Sequence, residues 1–280
     1  MAQLEQNQTS NTGAATSKWN GLYKVGSVAA WVALLVFRRW LGAEFLFFRG
    51  MGIIRAGPKA LPGTVLDWFT LLHAHRLIGL TLLNAFDIVN YALVGLIFLA
   101  LYAALSETHR SSVTLATALG FLGVAIYIAS NPAFSILTLS DQYAAATTDA
   151  QRSMLLAAGQ ALLAVQNPNA VGQATLSFFL VSLAGLIMST VMLDGRVFSK
   201  ATAYIGILAN AFGLGYPLGI ALAPKTVVLP IVALSLSVSA CFLVIWYVLI
   251  ALRLWQLGRG GPEGRLGRTR RSASEGDGVA

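Results

Sequence analysis

The chain has 280 residues, of which 56% are hydrophobic and 11% charged, with a formal net charge of +8. An average soluble domain is about a quarter charged, and a chain with a mean hydropathy of +0.70 has too little polar surface to stay dispersed in water. The positive charge does not point to nucleic acid: Arg253, Arg259, Arg265, Arg268, Arg270 and Arg271 crowd the end of the chain, just after an apolar run, where a membrane protein carries cytoplasmic arginines and can touch anionic headgroups.

A spanning helix needs about 20 mostly apolar residues to cross roughly 30 Å of hydrocarbon. Its backbone must satisfy its own hydrogen bonds there, so such runs are helical. Residues 1–18 are rich in Gln, Asn, Thr and Ala and read as a disordered tail, without the apolar core of a secretion signal. The first span is expected over Gly21–Phe37, with Trp19 and Tyr23 as interfacial aromatics. Lys24 can snorkel at its start, and Arg38, Arg39 and Trp40 close it. Leu41–Pro62 is too broken to cross and carries Arg49, Arg55 and Lys59. From Thr64 to Ile78, Val65, Trp68, Phe69 and Leu72 fall on one helical face. That pattern predicts an interfacial helix lying on the membrane.

The second span is expected over Leu80–Leu105, and the third over Val113–Ser130, ended by Asn131-Pro132. Ala133–Gly172 is polar in its middle and apolar only over Met154–Val165. That apolar part is too short to cross and is expected to pack on the bundle or at the interface. The fourth, fifth and sixth spans follow at Ala174–Leu193, Ala201–Leu222 and Val227–Leu254. The expected fold class is therefore all-α, a polytopic transmembrane helix bundle of about six spans plus an interfacial helix. The expected domains are a tail 1–18, a membrane domain 19–256 and a disordered basic tail 257–280.

Six spans put both ends of the chain on one side. With the basic tail inside, Lys18, Lys24, Arg110, Arg196 and Lys200 fall inside too. Arg38, Arg39, Arg49, Arg55, Lys59 and Arg76 then fall outside, against the positive-inside tendency. An odd number of spans would bring them inward. Six is preferred, because the tail is the denser signal and no clean seventh span exists.

Asp87 is the most informative single residue. A carboxylate inside a span costs at least about 2.5–3.5 kcal/mol on insertion scales, so it is expected to face the interior, paired or protonated. Thr81, Asn84, Asp87, Asn90 and Tyr91 recur at the spacing that shares one helical face. Such a stripe can line an ion, proton or substrate pathway, or it can lock helices together. Lys24 is a conceivable partner for Asp87. His73 and His75 are two apart, whereas helical metal ligands sit at i, i+4, and no H-E-x-x-H sequence exists. No metal and no cofactor are expected. Gly213, Gly215 and Gly219, interrupted by Pro217, suggest close helix packing, with a broken, ligand-exposing helix as the alternative. Ser235, Ser237 and Ser239 are expected to bond within or between helices. The single cysteine, Cys241, allows no intrachain disulfide.

Four stretches carry a family likeness: Leu22-Tyr23-Lys24-Val25-Gly26, Asp87–Leu105 with Ala100-Leu101-Tyr102, Ala157–Leu163, and Phe198-Ser199-Lys200 through Thr202-Ala203-Tyr204 to Gly206. Through them the chain resembles, over residues 19–255, the bacterial integral membrane proteins of domain of unknown function family 4386. The resemblance implies a multi-helix protein of the bacterial plasma membrane and brings no activity with it. The Arg49–Lys59 loop and the basic tail depart from the family's compact pattern. The functional expectation is a non-enzymatic binding, sensing or membrane-complex component. Its expected partners are the lipid bilayer and either other membrane subunits or a small hydrophobic ligand. A small secondary transporter using Asp87 is the main competitor, and a membrane-embedded enzyme the third.

Overall fold

The computed structural model describes residues 19–38, 62–165, 172–195, 197–222 and 225–259. The two expected tails (apart from residues 257–259) and the Arg49–Lys59 loop lie outside the described residues. Within them the chain forms ten helices: α1 Asn20–Arg38, α2 Val65–Ala74, α3 Arg76–Leu82, α4 Ala85–Leu105, α5 Arg110–Ser130, α6 Ala133–Ala145, α7 Asp149–Val165, α8 Gln173–Asp194, α9 Lys200–Leu222 and α10 Lys225–Gly258.

Among the described residues five stretches are long and apolar enough to cross a membrane: Ala85–Leu105, Arg110–Ala145, Gln173–Asp194, Lys200–Leu222 and Leu234–Gly258, with a shorter apolar helix at Asn20–Val36. The second of these contains a break. Asn131 has an extended backbone and Pro132 follows it, so α5 ends and α6 starts in a new direction. The Asn131 side chain caps α6 by accepting from the Ala133 amide at 3.0 Å.

The six long helices form a closed ring in chain order, α1–α4–α5–α8–α9–α10, and α10 packs back on α1. Hydroxyls donating across the seams fix the directions. Tyr23, at the start of α1, donates to the carbonyl of Ala103, at the end of α4 (3.3 Å). Ser27 donates to Ala251, near the end of α10 (2.7 Å). Ser177, early in α8, donates to Gly123, late in α5 (2.7 Å). Successive ring helices therefore run antiparallel. One end of the ring, here the tail end, carries Asn20, Leu105, Arg110, Asp194, Lys200 and Gly258. The other carries Ala85, Ser130, Gln173 and Leu222.

At that other end α2, α3, α6 and α7 form a small cap with its own core of Val65, Phe69, Leu72, Leu83, Ala85, Ala133 and Ile136. Thr64 opens α2 with a reciprocal capping box: its amide donates to Asp67 Oδ2 (2.9 Å) and its Oγ1 accepts from the Asp67 amide (3.2 Å). The apolar face expected to lie on the membrane is instead covered by protein, since α2 packs on α6 and α7. Gly159 of α7 sits directly against Val65 and Phe69, and Ser140 of α6 donates to the Phe69 carbonyl (2.9 Å). The undecided segment 133–172 thus contributes two of the four cap helices.

Close approach in the ring depends on small residues. At Gly123 a Cβ would stand 2.9 Å from the Ser177 carbonyl oxygen and 2.8 Å from Val181. Gly123→Ala is expected to force α5 and α8 apart at a cost of about 1–3 kcal/mol, seen as a lower melting temperature in detergent. Gly21→Ala, with nothing within 4 Å of the new atom, should leave melting unchanged or slightly raised. A separate expectation concerns acid. Hydrogen bonding to the Thr64 side chain, then to its amide, holds Asp67 below the usual carboxylate range. Its contribution to α2 is therefore complete above the ordinary value near 3.9 and lost as pH falls through the lower folded value. Amide exchange over residues 65–69, corrected for intrinsic rate, should accelerate only in that acid range, and Asp67→Asn should abolish the dependence.

Candidate functional site

Asp87 lies on the inward stripe of α4. Val94, Phe98, Leu101 and Leu105, at 7, 11, 14 and 18 residues beyond it, are all buried, whereas Val89, Leu96 and Leu99 on the opposite side are exposed. On α5, Val113, Ala116, Gly120 and Val124 form the matching buried stripe, and Tyr127 continues it by one more turn. The two stripes meet where the Tyr127 hydroxyl donates to Asp87 Oδ2 at 3.2 Å. Tyr91, one turn deeper than Asp87, stacks flat on Tyr127 with ring centroids 3.8 Å apart and planes 2° from parallel.

Tyr91 also lies near residues of three further ring helices. Besides Tyr127 on α5, its surroundings include Ser177 of α8, Tyr216 of α9 and Tyr247 of α10. Phe178 meets Tyr216 edge-on at 5.6 Å. This half of the interior is aromatic and polar. The other half is different. The largest fully buried side chains of the ring, Leu101, Leu105, Met188, Met192, Ile250 and Leu254, with Val113, all lie within about 12 Å of the tail end at 1.5 Å per helical residue. They form a continuous apolar cluster with Phe98 and Tyr23. Aliphatic side chains crowd the tail-end half, where Ser27, Ser189 and Thr202 are buried among them, and the Asp87, Tyr91 and Tyr127 group lies nearer the cap end.

Several sequence expectations change here. The second span does not run from Leu80: the helix breaks at Leu83 and Asn84, and Asn84 adopts a left-handed backbone (φ 58, ψ 31). Asparagine tolerates that conformation better than other non-glycine residues, and Asn131 Nδ2 pins the turn by donating to the Asn84 carbonyl at 3.1 Å. Thr81 therefore belongs to α3, where its hydroxyl bonds back to the Leu77 carbonyl (2.7 Å). Asn84 is exposed at the break, and the five-residue stripe does not share one helix face. Asp87 sits in the first turn of α4 rather than well inside a span. Lys24 is no partner for it: Lys24 lies against Gly258, at the tail end.

Asn90 stays on α4, and its buried Oδ1 finds no hydrogen-bond donor among the described residues. Trp246 Nε1, which the sequence reading did not single out, is equally without an acceptor; the indole is buried beside Gly206. Gly213 faces Ser182 and Ser239, with a Cβ reaching 2.9 and 3.2 Å from their hydroxyls, and Gly215 faces Ser235. Their surroundings are close packing against α8 and α10, and Gly219 is half-buried beyond buried Pro217. Ser235 and Ser239 donate to the carbonyls of Phe212 (2.6 Å) and Ala209 (2.7 Å), as expected of serines between membrane helices. Asn210, buried and donating to Gly206 (2.7 Å), was missed. Nothing but its polarity in an apolar run could have signalled it.

His73 and His75 are exposed, the latter at the break between α2 and α3. Among the described residues no group of three His, Cys, Asp or Glu side chains gathers. A scan against protein-family models, a search of curated proteins and a search of solved structures each find no match.

The Asp87–Tyr127 contact can be weighed directly. A hydrogen bond to a charged group is worth about 1.5–3 kcal/mol, and membrane pairs fall at or below the low end. A double-mutant cycle of Asp87→Ala and Tyr127→Phe, followed by chemical unfolding in detergent, should give a coupling of about 1–2 kcal/mol. Full additivity would mean that the two groups do not bond.

Proposed function

We propose that this chain is a six-span, non-enzymatic membrane protein that binds a small molecule inside its helix ring, at the level of Asp87, Tyr91 and Tyr127. The sixth span is α1, whose 19 residues reach about 28 Å at 1.5 Å per residue, close to the hydrocarbon thickness. The carrying observation is the division of the interior. Helices α4, α5, α8 and α9 bring Asp87, Asn90, Tyr91, Tyr127, Ser177 and Tyr216 toward the cap end, while the tail-end half is mostly aliphatic. A polar, aromatic interior confined to one half suits a binding or sensing protein. An open pore would need polar lining from end to end. A transporter would need the aliphatic half to part, and that is the second reading.

The location in this proposal is the plasma membrane of a bacterium, in keeping with the family resemblance. The tail end is cytoplasmic, because Arg259, Arg265, Arg268, Arg270 and Arg271 follow α10 at once. Single cysteines in a Cys241→Ser background, probed with a small neutral thiol reagent added to each side of sealed vesicles, test the reading. Cysteines replacing Asp87, Tyr91 or Ser177 should react from the cap side, and those replacing Phe98, Leu101 or Met188 from neither. Reaction of both sets from both sides would mean a through-path. No reaction at any of them would mean a sealed scaffold and would end the binding proposal.

A further inference from the structure

We propose that the outer side of the α1–α10 seam, at the tail end, holds one anionic phospholipid with its headgroup phosphate between Lys24 and Arg259. The proposal rests on the six-span reading, which places α1 in the bilayer, and not on what the interior binds. The seam itself brings the two cations together. Ser27 donates to Ala251 at 2.7 Å. Nearer the tail end, a Cβ on Gly258 would stand 2.8 Å from Lys24 Cγ and 3.4 Å from the Asn20 carbonyl oxygen, and Arg259 is the next residue. Lys24, Val28 and Trp31 recur at i, i+4 and i+7 on α1, and Leu252, Trp255 and Arg259 at i, i+3 and i+7 on α10. Each set shares one helical face. All six are exposed, on the outside of the ring beside buried Ser27, Ala251 and Gly258.

Neither cation has a carboxylate partner among the described residues. The described charges of the tail end are Lys24, Arg110, Lys200, Arg253 and Arg259 against Glu107 and Asp194. His109 holds Asp194 at 3.2 Å, and Glu107 acts on Tyr23, which faces α4. Arg253 is turned away, donating to the Val197 carbonyl and to Gln256. Arg259 stands over the Trp255 ring, 4.8 Å from its centroid. A guanidinium held against a ring face keeps its N–H groups for an anion. Trp255 is an amphipathic ring of the kind found at headgroup level. Below the cations, Val28, Trp31 and Leu252 offer the acyl chains an apolar wall. Basic sites between spanning helices recognise anionic headgroups in this way. A zwitterionic lipid would bring an ammonium against two cations, and a soluble phosphate would leave the apolar wall unused.

The test uses the full chain in neutral detergent and native mass spectrometry. Phosphatidylglycerol and phosphatidylcholine of equal chain length are presented together at equal concentration. The first lipid retained should be phosphatidylglycerol, by about tenfold or more. At about fivefold per cation, Lys24→Gln combined with Arg259→Gln should remove that preference, while Lys24→Arg combined with Arg259→Lys should keep most of it. Trp255→Leu should lose about threefold. Lys200→Gln at the start of α9, and joint replacement of Arg265, Arg268, Arg270 and Arg271 by Gln, should each stay within about twofold. Excess glycerol 3-phosphate should leave the lipid bound. Thermal melting of each variant separates lost binding from lost folding. Equal retention of the two lipids, or a Lys24→Gln/Arg259→Gln protein that melts normally and keeps the preference, would overturn the proposal. So would an equal loss from either control, which would mean general attraction to a basic end, or displacement by glycerol 3-phosphate at the lipid's own concentration. The cysteine experiment reads the interior and this one the outer surface, so either can fail alone.

Discussion

The interaction on which the ring depends is a hydroxyl donating to the backbone carbonyl of the next helix. In hydrocarbon, apolar side chains gain nothing by leaving lipid for protein, so helices associate through close packing and directed polar bonds. Ser27 to Ala251, Ser177 to Gly123 and Ser239 to Ala209, each at 2.7 Å, are such bonds. They can form only because the seams are lined by Gly, Ala and Ser, which let the backbones approach. Each is worth roughly 0.6–1.7 kcal/mol, too little to hold a bundle alone. Their value is geometric: a bond to a carbonyl fixes how far one helix has slid along its neighbour. The Ser27 bond has an added consequence, because it joins the first ring helix to the last and closes the circle.

Closure divides the interior. Toward the tail end the large buried side chains are mostly Leu, Met, Ile and Val. Toward the cap end the same stripes carry Asp87, Asn90, Tyr91, Tyr127 and Tyr216. On α4 and α5 these residues are placed by the inward periodicity that places the aliphatic ones, so the interior changes in residue type along continuous stripes. The cap extends this end. It joins the ring through two short breaks, at Asn84 and at Asn131-Pro132, and the Asn131–Asn84 bond ties the breaks together. The residues that end α5 and begin α4 are thus held in place beside the Asp87–Tyr127 pair.

Much of the ring was legible in the sequence, because twenty-residue apolar runs have few alternatives in lipid. The bounds of the third, fourth and fifth spans fall within a few residues of α5, α8 and α9. The cap was less legible. Its helices are short, and their apolar faces, such as Val65, Phe69 and Leu72, read equally well as surfaces for lipid or for protein. The break at Asn84 was hidden because Leu80 to Leu105 is apolar throughout, and a left-handed asparagine leaves no mark in hydropathy. That one turn moved Asp87 from mid-span to the first turn of its helix and detached Thr81 from the stripe. Asp87 and Tyr91 could be singled out from polarity alone. Tyr127, 40 residues from Asp87, could be paired with it only once the helices were placed in space, and the same holds for Tyr216 and Tyr247.

The most direct test of the central claim is of ring closure between α1 and α10. Ser27→Cys and Ala251→Cys would be introduced together in a Cys241→Ser background, with a protease site inserted between residues 39 and 61. The protein in lipid would be treated with a short bifunctional thiol reagent, cleaved and run under denaturing conditions. A closed ring predicts that the α1 fragment stays joined to the rest, at a yield well above that of a control pair at positions 35 and 251, which lie toward opposite ends. Separation of the fragments, with both cysteines reactive, would contradict the closed ring and the divided interior that follows from it.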